Sequence, residues 1–124
     1  MDQIYPAIYL EAQWRIYLEE SGHYVYKSKT YPRLIRSRNG KKKRYRWLVF
    51  ISRCPVRHFT ESEAKLIQRQ LELVRQRRER LYLVIGLAFE PGRIVVIPAG
   101  RVLKKGYARV DIGGFDWQDW RLFN

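Results

Sequence analysis

The residues best equipped for chemistry in this chain are cations. The stretch "RSRNGKKKRYRW", residues 36–47, holds Arg36, Arg38, Lys41, Lys42, Lys43, Arg44 and Arg46 and no acid. Twelve of the 25 Lys and Arg lie between Lys27 and Arg57, and no Asp or Glu occurs between Glu20 and Glu61. That segment therefore carries +12 of the net charge of +13. Charge kept for solubility mixes both signs. A one-sided patch attracts a polyanion by releasing its counterions. The candidate phosphate-binding set is Lys27, Lys29, Arg33, Arg36, Arg38, Lys41, Lys42, Lys43, Arg44, Arg46, Arg53 and Arg57. Arginine presents a fork that matches two phosphate oxygens, whereas lysine acts as a point charge.

Groups that could break a bond are scarce. His23 and His58 are the only histidines, and either could act as a general acid or base in a metal-free nuclease. A lone histidine is more often structural. Cys54 has no second cysteine for a disulfide or a zinc cluster. Glu11 and the late acids Asp111, Asp116 and Asp119 could assemble a carboxylate site only if the fold brings them together. No cofactor and no metal is expected. Tyr26, Tyr31 and Tyr45 flank lysines and arginines on strand ends and are candidate stacking surfaces for bases. Trp14 and Trp47 read as core. Phe115, Trp117 and Trp120 either lock the C-terminus down or meet a protein partner, since a separation of three puts both tryptophans on one side of a helical turn.

The elements that must hold these residues are legible from periodicity. A helix is predicted over 5–21, with Ile8, Ala12, Trp14, Ile16 and Leu18 around its apolar face and Ser21-Gly22 as its stop. "HYVYKSK" alternates as a strand, "YPRLIRS" reads as a second, and Asn39-Gly40 predicts a tight hairpin in which both residues accept positive φ. "RYRWLVFIS" becomes apolar on both faces, as a central strand does. "FTESEAKLIQRQLELVRQRRER" carries a capping box from Thr60 to Glu63 and an inward stripe of Ala64, Ile67, Leu71 and Val74. Its terminal Arg77, Arg78 and Arg80 read as partners of the negative helix end. "LYLVIGLAF" and "RIVVIPA" follow as strands, then "RVLKKG" as a helical turn, "YARVDI" as an edge strand and "GGFDWQDWRLF" as a closing aromatic segment. A helical crossover after the central strand implies a mixed sheet. Residues 1–124 are expected to form one domain with an aromatic C-terminal segment, 113–124. No apolar run approaches the ~18 residues of a membrane span, and no secretory leader is visible. A cytoplasmic or nucleoid-associated protein is expected.

This order of helix, three strands, helix and two strands resembles the restriction-endonuclease-like, or PD-(D/E)XK, superfamily, which includes archaeal Holliday-junction resolvases. The resemblance spans roughly Tyr5 to Val96 and rests on topology. It implies a metal-dependent nuclease ancestry, with a glutamate on the opening helix, an Asp after Pro on the second strand and Asp/Glu-x-Lys on the third. The opening helix offers Glu11. The Pro-Asp position falls on Pro32-Arg33, and the Asp/Glu-x-Lys position on Phe50-Ile51-Ser52. None of Arg33, Phe50 and Ser52 offers the carboxylate through which a hard, oxygen-seeking Mg²⁺ is normally held. With Arg53 beside them they imply a surface that binds phosphate without cutting it. The sequence thus reads as an α/β nucleic-acid-binding protein with a vacated nuclease centre, and DNA is favoured over RNA by the resemblance alone. Two alternatives stand beside it: an active nuclease with migrated carboxylates, or a non-catalytic subunit of a nucleic-acid-processing complex.

Overall fold

The computed structural model describes residues 7–26, 34–54, 56–87, 94–104 and 109–111. In chain order its elements are α1 (Ala7–Glu20), β1 (Tyr24–Tyr26), β2 (Leu34–Arg38), β3 (Arg44–Ser52), β4 (Val56–His58), α2 (Glu61–Arg77), β5 (Arg80–Leu87), β6 (Ile94–Pro98), α3 (Ala99–Lys104) and β7 (Arg109–Asp111). The main sheet has the strand order β1-β2-β3-β5-β6. β3 and β5 are parallel, as a helical crossover requires, and the other neighbours are antiparallel. The fold is the expected mixed α/β layer arrangement, with a central sheet between helices.

β3 sits at the centre and is buried on both faces because its side chains alternate between two apolar layers. Tyr45, Trp47 and Val49 meet Leu10, Trp14 and Leu18 of α1. Leu48 and Phe50 point the other way, into a layer with Ile67 and Val74 of α2. α2 begins as its sequence predicts. The Thr60 hydroxyl accepts from the Glu63 amide, and the Glu63 carboxylate accepts from the Thr60 amide. Gln70 joins its buried stripe, while Ala64 and Leu71 are only half-buried.

Three expectations are corrected. The inward face of α1 is Leu10-Trp14-Leu18, and Ile8 (69% exposed) and Ile16 (54%) face outward with Ala12. Stripes two residues apart lie on opposite sides of a helix, and the one that wins stacks Trp14 edge-on against Trp47, with centroids 5.3 Å apart. β4 has no sequence signal, being three residues of mixed polarity. It pairs with β7 in a separate two-stranded sheet, so "YARVDI" does not edge the main sheet. Arg80 opens β5 and does not end α2.

His23 follows α1 and is buried against Tyr45 and Trp47. Its Nδ1 lies 3.0 Å from the Ser37 hydroxyl, whose oxygen also accepts from Trp47 Nε1 at 2.8 Å. Burial lowers the imidazole pKa, so the folded state favours neutral His23. The unfolded chain then binds the proton more readily, and this stability is present above the ordinary value of about 6.5 and lost as pH falls below it. The stability gap between wild type and His23→Gln, from urea melts, should therefore narrow as pH falls from 7.5 to 5. A constant gap would mean that His23 is not held neutral.

Candidate nucleic-acid interface

The β2–β3 hairpin turns at residues 39–43. Asn39 organises the loop with its side chain: Oδ1 accepts from the Lys41 amide at 3.0 Å and the Lys43 amide at 2.9 Å. The Asn39 amide donates to the Lys43 carbonyl, and the Lys42 amide to the Asn39 carbonyl. The turn is where the sequence puts it, but positive φ falls on Lys42 (62°) and not on Asn39 or Gly40. With the loop's polar backbone bonded internally, Lys41, Lys42 and Lys43 are all exposed.

The end of α2 arrives beside this loop. Arg78 is its C-cap in the left-handed region (φ 55°), with its amide on the Val74 carbonyl. Lys42, Lys43, Arg44, Arg77, Arg78 and Arg80 then line one shallow depression of about 460 Å³, with no acid among the described lining residues. Lys42 also lines a second depression of about 280 Å³ with Gly22, Tyr24, Arg38, Asn39 and Gly40. The sequence reading missed the contribution of Arg77, Arg78 and Arg80, because it explained them by the helix terminus alone. Their spacing from the hairpin is visible only once β5 is paired parallel to β3, with Tyr45 opposite Arg80.

Beneath the cations lies a buried polar network. Arg46 Nε donates to Glu79 Oε2 at 2.9 Å, and its Nη1 donates to Gln70 Oε1 at 2.6 Å. Arg36, half-exposed on β2, reaches Glu79 Oε1 at 3.4 Å. Arg46 is only 4% exposed, so its expected role as a phosphate contact is corrected: it is a structural cation. Tyr45 is likewise corrected. It is fully buried, stacked with Trp47 at 5.4 Å, and cannot receive a base. Burial, aided by Tyr82 and opposed by Arg80, raises its hydroxyl pKa.

The other predicted residues separate along β3. Arg38 is exposed at the hairpin end, and Tyr26 is exposed on β1. Arg53 is exposed at the opposite end, past Ser52. A nine-residue strand spans about 27 Å, so Arg53 and the hairpin do not form one surface. Arg57 is not a free phosphate ligand either. It grips Glu63 at 2.7 and 3.2 Å, donates to the Ile51 and His58 carbonyls, and stacks over Phe59 and Phe50. Lys27, Lys29, Tyr31, Arg33, Phe115, Asp116, Trp117, Asp119 and Trp120 lie outside the described residues.

The described positions that carry the resemblance do not fit a divalent cation. Phe50 is buried edge-on against Phe59, and the Ser52 hydroxyl is buried and donates to the Cys54 carbonyl at 2.7 Å. Glu11 is half-buried beside Arg15, 3.5 Å away. Burial raises its carboxyl pKa, and Arg15 only partly offsets that. Asp111 stands in β7 opposite Val56. Among the described residues no three His, Cys, Asp or Glu side chains are grouped so as to hold a metal ion.

No family model and no curated protein matches the chain. Among solved structures it is similar to Hjc of Archaeoglobus fulgidus, a Holliday junction resolvase from an archaeal hyperthermophile, at 14% identity and a TM-score of 0.59. The match covers 75% of this chain and 72% of that one. At that identity the likeness is one of fold, and it makes the present fold restriction-endonuclease-like.

The network predicts a stability result. Glu79→Ala strands the buried Arg46 charge and should cost about 3–5 kcal/mol in urea unfolding. Arg46→Met combined with Glu79→Leu should recover most of the loss. A single-variant loss below about 1 kcal/mol would show that water reaches Arg46.

Proposed function

We propose that this protein binds nucleic acid through phosphates gathered at the hairpin end of its sheet, using a nuclease-like fold without an intact metal centre. The observation that carries the reading is a backbone one. The non-glycine residues with positive φ among those described are Lys42 and Arg78, and both line the cationic depression. A side chain in the left-handed region costs about 1–2 kcal/mol, and glycine is the usual occupant of such positions. Two cations held there, both lining one concavity, fit a phosphate grip that outweighs local stability.

The remaining support is chemical. Arg44, Arg77, Arg78 and Arg80 bring guanidinium forks to the same place as the ammonium groups of Lys42 and Lys43. None of these residues distinguishes one base from another unless it enters a groove, so the expected mode is backbone binding. DNA is favoured over RNA because a similar solved structure is by name a Holliday junction resolvase. With Phe50 and Ser52 packed inward, the reading assigns no phosphodiester cleavage to the β3 positions.

The test is a salt titration of binding to duplex DNA, comparing wild type with Lys42→Gly/Arg78→Gly. About six phosphate contacts predict an affinity loss of about 10³ between 50 and 200 mM salt. The double variant should bind more weakly and lower the salt slope by about two, while its thermal stability is unchanged or higher. An unchanged slope, or a flat response in the wild type, contradicts the reading.

A further inference from the structure

We propose that the β1–β2 ribbon is a stacking platform for unpaired bases, so that the preferred ligand contains a single-stranded stretch. This inference rests on the phosphate-binding reading and adds the class of nucleic acid. Tyr24 and Tyr26 stand two apart on β1 and therefore share one face of the sheet. That face belongs to the layer of Leu34 and Leu48, where α2 packs over the inner strands. Val25 points to the other layer, against α1. At the outer strand the tyrosines stay open: Tyr24 is 60% exposed and Tyr26 38%. The two rings touch, so they leave a contiguous exposed aromatic patch and not a single exposed side chain.

Register pairs each ring with a cation. Tyr24 lies opposite Arg38 and Tyr26 opposite Arg36. The Arg38 guanidinium sits 5.4 Å from the Tyr24 ring centre, and the two rings meet edge-to-face at 5.0 Å. The ribbon thus presents two tyrosines, each opposite a cation, with ring centres 5.0 Å apart, wider than the ~3.4 Å rise of a stacked strand. That spacing suits successive nucleotides of an extended strand and not the closed stack of a duplex. The platform is also continuous with the phosphate grip. Tyr24 and Arg38 line the smaller depression, and Lys42 belongs to both depressions. A strand crossing Lys42 would place phosphates among the arginines on one side and bases on the tyrosines on the other. A paired duplex hides its base faces, so the rings add nothing to duplex binding.

The test compares oligothymidylate with its oligoadenylate duplex at one salt concentration, for wild type, Tyr24→Ala, Tyr26→Ala and the matching Phe variants. Each Ala variant should weaken single-strand binding on the order of tenfold, leave duplex binding unchanged, and be rescued by Phe. Duplex binding is the folding control. Tyrosine variants that lose nothing, or lose both ligands alike, overturn the platform and leave the phosphate grip standing. Wild type that binds neither ligand overturns the phosphate reading beneath it.

Discussion

The buried bond between Arg46 and Glu79 is the constraint on which this end of the molecule depends. Arg46 enters from the hairpin strand, Glu79 from the turn after α2, and Gln70 from the helix itself. A buried charge pair is worth keeping only when its donors and acceptors are matched, and separating it costs several kcal/mol. By contrast, an interaction between two solvent-exposed charges is typically worth under about 1 kcal/mol and is weakened further by salt. The network therefore holds the hairpin against the helix end, even though doing so gathers six cations around one depression.

This arrangement gives β3 two different ends. At Arg44 the strand opens into solvent among lysines and arginines. At Ser52 it closes against Arg57, which is bound to Glu63 and covered by Phe59. The positions that the fold resemblance marks for catalysis, Phe50 and Ser52, fall at the closed end and are buried. Charge and fold resemblance thus point to opposite ends of one strand. The proposed function follows the charge.

Much of the fold was legible because its signals are local. The Thr60–Glu63 capping box, the hairpin and the doubly buried strand each follow from a few adjacent residues. What escaped depends on pairing across the chain. Arg46 reads like its exposed neighbours until Glu79, 33 residues on, is placed beside it. Tyr45 reads as a strand-end ring until α1 and Tyr82 cover it. α1 carries apolar residues on both sides, so periodicity alone could not choose between Ile8-Ala12-Ile16 and Leu10-Trp14-Leu18. Arg77 and Arg78 had an adequate local explanation, which concealed their meeting with Lys42 and Lys43.

The most direct measurement is amide hydrogen exchange of the protein with and without a short DNA strand, read segment by segment. The account predicts slowed exchange in residues 39–44 and 76–80, with residues 56–63 unchanged. Protection concentrated at 52–59, with the hairpin unaffected, would place the ligand at the other end of β3 and contradict it.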